Sequence, residues 1–168
     1  MEIRPAVVDD ADAIAAVNAA GWKIGFRDVV PADYLATFDG WPQTRRDDLQ
    51  QLPPHALQLV ATQNDSVVGW IAGQPLDDPE LVTDTYEIRA CYVTPSHWRQ
   101  GVARTLVQAL LDQLGSSWSN VILWTPRDSD RSRRFYESVG FQFDGGEQTI
   151  DRGGPVPLVR YRRLLGEV

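Results

Sequence analysis

The 168-residue chain contains one cysteine, Cys91, and two histidines. A single thiol excludes an intramolecular disulfide and any zinc site built from several cysteines. No stretch reaches the ~18 uninterrupted apolar residues of a membrane-spanning helix. The first residues, Met1-Glu2-Ile3-Arg4-Pro5, lack the apolar core of a secretory signal. These absences lead us to expect a cytoplasmic protein. Positive charge is also scarce: 16 Lys+Arg against 23 Asp+Glu give a net charge of −7. That balance argues against nonspecific binding to nucleic acid or to an anionic membrane. It suits an amine or cationic substrate, and it requires an anionic cofactor to be held by local features. His55, in a loop after Pro53-Pro54, and His97 have no visible partner, so surface roles are expected and no metal site is. The rest of the composition, 43% hydrophobic and 23% charged, is ordinary for a globular chain, and one domain over 1–168 is expected.

Periodicity supplies the elements. Glu2 to Val8 alternates as a first strand, and Asp9-Asp10-Ala11-Asp12 supplies an N-cap for a helix from Ala13 to Trp22. Pro31 opens a short helix, and Gln43 to Gln51 reads as another. Leu57 to Thr62 and Ser66 to Gly73 form a hairpin around Gln63-Asn64-Asp65, with a loop from Pro75 to Pro79 after it. Tyr86 to Val93 is a strand with Glu87, Arg89, Cys91 and Val93 on one face and Tyr86, Ile88, Ala90 and Tyr92 on the other. Val102, Leu106, Val107, Leu110, Leu111 and Leu114 mark an amphipathic helix closed by Gly115. Asn120 to Thr125 is a short strand, and Asp128 to Val139 a second amphipathic helix. Phe141 to Phe143 and Val156 to Leu165 close the chain as a strand pair, with Gly145-Gly146 and Gly153-Gly154-Pro155 punctuating the segment between them. The order implies a mixed α/β fold with a parallel pair across the 102–114 helix.

The most informative stretch is Trp98-Arg99-Gln100-Gly101-Val102-Ala103-Arg104, between a strand and a helix. Small residues let a ligand approach the backbone, and a helix N-terminus with convergent N–H groups favours phosphate. The stretch is neither a P-loop, which needs Gly-Lys-Ser/Thr, nor a three-glycine dinucleotide fingerprint. Taken alone it reads equally as a tight turn. A second segment, Ser129 to Phe141, opens the next helix with Phe135-Tyr136-Glu137-Ser138-Val139-Gly140-Phe141.

Together the two segments resemble the GCN5-related N-acetyltransferase (GNAT) family. Its cofactor loop reads Arg/Gln-x-x-Gly-x-Gly/Ala after a strand and Val-x-Pro; here Val93-Thr94-Pro95 precedes Trp98-Arg99-Gln100-Gly101-Val102-Ala103. Its later motif ends Phe-Tyr-Glu-x-x-Gly-Phe, matched by 135–141. Trp98 stands where Arg or Gln is usual, Ser129 where Asn is frequent, and Ser132 where Ala is usual. The resemblance covers nearly the whole chain. It implies a central, mostly antiparallel sheet with flanking helices and a splayed parallel pair, here 86–93 and 120–125.

The resemblance further implies that backbone N–H groups of Arg99, Gln100, Gly101, Val102, Ala103 and Arg104 hold the coenzyme A pyrophosphate. It implies that the strand edge at Cys91, Tyr92 and Val93 pairs with the pantetheine arm, and that Ser129, Ser132 and Phe135 complete the cofactor site. Transfer would be direct, leaving Cys91 as a small core residue rather than a nucleophile. Tyr136 is the candidate general acid for the departing thiolate, set against a packed, hydrogen-bonded phenol. Glu87 is the candidate general base, acting through water, set against an ion pair with Arg89 or a distant arginine. Trp22, Phe26, Tyr34 and Trp124 are candidates for lining the acceptor site, with Glu147 to Pro157 as a further flank. The expected activity is acetyl transfer from acetyl-CoA to an amine of a small molecule or peptide. The alternatives are a longer acyl group, transfer to oxygen, or a noncatalytic acyl-CoA-binding sensor. A homodimer is common in the family.

Overall fold

The computed structural model describes residues 1–76 and 84–166. Seven strands form one sheet: β1 (Glu2–Pro5), β2 (Leu57–Gln63), β3 (Ser66–Pro75), β4 (Thr85–Val93), β5 (Asn120–Pro126), β6 (Gln142–Asp151) and β7 (Pro155–Leu164), in the order β1-β2-β3-β4-β5-β7-β6. All pairings are antiparallel except β4–β5, which is parallel and is spanned by the 102–114 helix. The expected mixed α/β architecture is therefore present. Five helices flank the sheet: α1 (Ala11–Gly25), α2 (Ala32–Thr37), α3 (Pro42–Gln50), α4 (Val102–Leu114) and α5 (Asp130–Ser138). Among the described residues no helix is long and apolar enough to cross a membrane.

Each face of the sheet is covered for a reason visible in the chain. The apolar stripe of α4 buries Leu106, Val107 and Leu110 against Ile71, Tyr86, Ile88 and Leu123. On the opposite face, Ile14 of α1 packs on Val60, Trp70 and Ala72. A third cluster, rich in aromatics, joins Trp22, Phe26, Leu35 and Phe38 to Val156 and Leu158 of β7. The β2–β3 turn takes positive φ at Asn64 (50°) and Asp65 (60°), the two-residue hairpin geometry that suits Asn and Asp.

Several local expectations change. Asp10 makes no capping hydrogen bond to α1. Its carboxylate instead accepts both guanidinium N–H groups of Arg4, at 2.7 and 2.8 Å, and the backbone N–H of Val7 at 2.9 Å. The segment around Gly145-Gly146 is not a break: β6 runs through it with a register shift between Phe143 and Glu147. Pro75 ends β3, and 77–79 of the expected loop lie outside the described residues.

The largest correction falls on β4. Ala72 pairs with Ala90 but Gly73 pairs with Ile88, so Arg89 is an extra residue, a β-bulge. Strict alternation fails there, because one inserted residue exchanges the two faces beyond it. Tyr86 and Ile88 before the bulge, and Cys91 and Val93 after it, all pack in the α4-side core. Ala90 and Tyr92 pack on the α1 side.

Candidate active site

The parallel pair begins at Thr85↔Asn120 and ends at Ile88↔Leu123. Beyond it, Arg89–Val93 of β4 and Trp124–Pro126 of β5 separate, and both strands line a cleft of about 1100 Å³. The β4 edge facing β5 thus has no strand partner from the bulge onward, and the expected splayed pair is where the motifs put it. An amide-bearing arm laid along that edge would meet unpaired main-chain groups. One acceptor there is already used: the Trp98 indole N–H donates to the Val93 carbonyl at 2.7 Å.

The Trp98–Arg104 loop closes one end of the cleft. After a 3-10 turn over Pro95–His97, Arg99 (φ 62°) and Gly101 (φ 82°) both take left-handed backbone conformations. Gly101 is the N-cap of α4 with no side-chain cap, and the first helical bond runs from Thr105 N to the Gly101 carbonyl at 3.0 Å. The N–H groups of Val102, Ala103 and Arg104 therefore have no partner within the helix. A Cβ built on Gly101 meets no atom within 4 Å, so the glycine serves the dihedral and leaves space beside the loop. Unpaired N–H groups, a helix dipole and open space make a fitting seat for the pyrophosphate of coenzyme A.

The side chains around this loop are more committed than its backbone. Arg104 donates to the Ser138 carbonyl (3.1 Å) and Oγ (3.0 Å), tying α4 to the end of α5. Gln100 donates to the Ser96 carbonyl at 3.0 Å and is not in the cleft wall. Arg131 of α5 lies with its guanidinium carbon 3.7 Å from the centre of the Trp98 ring, and both line the cleft. His97, unpartnered in the sequence reading, has Thr94 Oγ1 and Ser96 Oγ each 3.0 Å from Nδ1. The His55 carbonyl accepts the Tyr86 hydroxyl at 3.1 Å, a structural contact.

From α5, Ser132, Phe135 and Tyr136 reach the cleft; Ser129 does not, being buried with its hydroxyl donating to Ser132 Oγ at 3.0 Å. Tyr136 is 9% exposed, and burial pushes its phenol well above the usual tyrosine range. It holds its proton at neutral pH. Glu87, on β4 just before the bulge, also lines the cleft. Burial raises its carboxyl, and Arg89, 3.7 Å away, partly offsets that effect. Both readings of Glu87 thus have a physical basis: a desolvated carboxyl, and a loose pairing with Arg89. Cys91 lines the cleft too, with its thiol pushed up to about 12 by burial, which keeps it protonated.

Trp22, Phe26 and Trp124 line the cleft. Tyr34 does not; it stacks on Phe38, with ring centres 5.9 Å apart, and supports the wall from behind. The 147–157 segment contributes Gln148, Ile150, Arg152 and Val156. Arg131, in the second motif segment, and Arg152, in the expected 147–157 flank, have no role of their own in the sequence reading, and both line the cleft. Arg131 shares a stretch with Arg133 and Arg134, and nothing in the sequence separates the one that meets Trp98. Arg152 sits beside the Gly153-Gly154 turn, an ordinary loop setting. Among the described residues Glu87 is the one carboxylate in the cleft lining, against five arginines.

Comparison with known proteins follows the same geometry. The Acetyltransferase (GNAT) family model matches residues 26–141. Human N-acetyltransferase 8 is 33% identical over 87 residues, which is 51% of this chain and 38% of that protein. The chain thus spans less than half the length of that relative. A Mycobacterium tuberculosis protein named as a probable N-acetyltransferase is 27% identical over 172 residues, covering 96% of this chain and 92% of its own. The PaiA N-acetyltransferase of Thermoplasma acidophilum, solved in complex with coenzyme A, shares the fold with a TM-score of 0.76. It is 16% identical, over 98% of each chain. With the splayed strands, the glycine-capped loop and the helix carrying Tyr136 assembled around one cleft, and a family model matching from Phe26, just past α1, to Phe141, the chain belongs to the GNAT acetyltransferase family.

Proposed function

We propose that this protein transfers the acetyl group of acetyl-CoA directly to an amine. The observation that carries this reading is the single cleft in which an unpaired β4 edge, the uncapped N-terminus of α4 and two protonatable side chains meet. Bound acetyl-CoA supplies an electrophilic thioester. Main-chain N–H groups of the β4 edge near Cys91–Val93 stabilise negative charge on the acyl oxygen. Glu87, acting through water, takes the proton that the attacking amine must lose. Tyr136, protonated at neutral pH, donates to the departing sulfur. Trp22, Phe26 and Trp124 shape the acceptor side.

The test is release of free thiol from acetyl-CoA across a panel of amines and peptides. Turnover that depends on Tyr136 supports the reading. Tight acetyl-CoA binding with no turnover on any acceptor would assign the chain instead to acyl-CoA sensing.

A further inference from the structure

A second cavity, of about 520 Å³, adjoins the acceptor side of the cleft. Trp22, Arg89, Ala90, Tyr92 and Arg152 line both spaces, so the two are neighbours that share these side chains. For a chain of net charge −7 its lining is anomalous. Arg45, Arg89 and Arg152 face it, against one carboxylate among the described residues, Asp48. The pairings with carboxylates are loose, Arg45 to Asp48 at 3.5 Å and Arg89 to Glu87 at 3.7 Å, while Arg152 donates one N–H to the Asp151 carbonyl at 2.7 Å.

The hydrogen bonding is more telling. Among the described residues five buried side-chain polar atoms have no partner. Four belong to residues of this cavity: Nε of Arg45, Nε of Arg152, Oδ1 of Asn18, and Nε1 of Trp22, which lies close enough to the Tyr92 hydroxyl to offset part of that phenol's upward shift. Asn18 is 3% exposed. A buried polar group left unpaired costs about 1–3 kcal/mol, and native structures rarely concentrate them without a ligand or water to satisfy them. Three of the four are donors. The guanidiniums are also held in place: Arg45 lies 5.1 Å over Trp70, and Arg152 lies 5.8 Å from Trp22 and 5.6 Å from Trp41. Planar, pre-positioned forks of this kind match a carboxylate.

We propose that this cavity binds a carboxylate carried by the acceptor, so that the substrate is a small amino acid rather than a purely cationic amine. The inference rests on the amine-acetylation reading above. The Arg45 and Arg152 guanidiniums receive the carboxylate, and the amine lies toward Glu87. Asn18 Oδ1 and Asp48 remain as acceptors for donors on the body of the molecule.

The experiment compares matched pairs that differ only by the carboxylate: phenylalanine with phenethylamine, tryptophan with tryptamine, histidine with histamine. Thiol release is measured for the wild type, Arg45→Gln, Arg152→Gln and Arg152→Lys. The wild type is expected to favour the amino acid in at least one pair by about 10- to 100-fold in kcat/KM, the scale of a hydrogen bond to a charged group. Either glutamine variant should erase that preference by raising KM for the amino acid far more than for the amine, and Arg152→Lys should restore part of it. Equal or better turnover of the decarboxylated amines by the wild type overturns the proposal, as do variants that weaken both members of a pair alike. If no amine is turned over, the transfer reading fails by itself. Calorimetry of the same pairs on the coenzyme A complex then decides the cavity. Arginine-dependent binding of the amino acids alone supports it, and binding indifferent to the carboxylate overturns it.

Discussion

Tyr136 and Glu87 line the same cleft and are both shifted upward by burial, which favours the protonated form of each and so helps an acid but works against a base. For the phenol, the shift secures the proton it is to donate. Replacing Tyr136 with Phe should therefore lower kcat by about 10²–10⁴, the usual contribution of a general acid, and leave coenzyme A affinity by calorimetry unchanged. For the carboxyl, the shift means that the ionised base is lost on acidification earlier than an ordinary glutamate would be. The acid limb of kcat/KM should sit above the usual glutamate range near pH 4.3, and Glu87→Gln should remove that limb from the pH profile. The same desolvation acts on Cys91 in the same direction: a thiol pushed up to about 12 cannot supply a thiolate nucleophile at neutral pH. Cys91→Ala should keep turnover within a few-fold (about threefold) of wild type, since only a small packed side chain is lost. A persistent acetylated-cysteine adduct by mass spectrometry would contradict direct transfer.

The α4 element carries both the most legible structure and the most specific binding feature. Its six buried apolar residues recur at helical spacing, and the observed Val102–Leu114 bounds are those the sequence predicts. Leu110→Ala should cost about 2–5 kcal/mol by chemical denaturation, as for other fully buried leucines. Gly101→Glu asks a different question at the same element. A Cβ there meets nothing, so the fold tolerates the side chain apart from about 1–2 kcal/mol for the left-handed backbone. A carboxylate at the anion seat should abolish coenzyme A binding while circular dichroism stays native; retained binding by calorimetry would remove the loop from the site. The motifs at 98–104 and 135–141 were legible because backbone geometry and a few fixed side chains define them. Trp98, the residue that fits the family pattern least, proves to be a strut between Val93 and Arg131. The bulge at Arg89 was illegible, because an inserted residue leaves no compositional mark in an apolar strand. The cavity arginines were illegible for another reason: Arg45, Arg89 and Arg152 come from three separate elements, and only the tertiary fold brings them together.

Across the whole molecule, the cleft draws on β4, β5, α4, α5 and the α1 end, so a ligand seated in it touches all of them at once. Coenzyme A at a hundredfold excess over its Kd should then stabilise the fold by about 2.7 kcal/mol, read as a concentration-dependent rise in Tm. Gly101→Glu should show no such rise. The overall charge of −7 makes the arginine-lined acceptor side a local exception, maintained by residues distant in sequence. The extra residue in β4 has a consequence of its own for how this chain tolerates change. A substitution at Arg89 alters one side chain on an exposed bulge. A deletion of the same residue would give unbroken alternation and leave every side chain beyond it on the face it now occupies. What it would remove is the bulge at the point where β4 parts from β5: the extra residue marks the mouth of the cleft, and its presence there counts for more than its side chain.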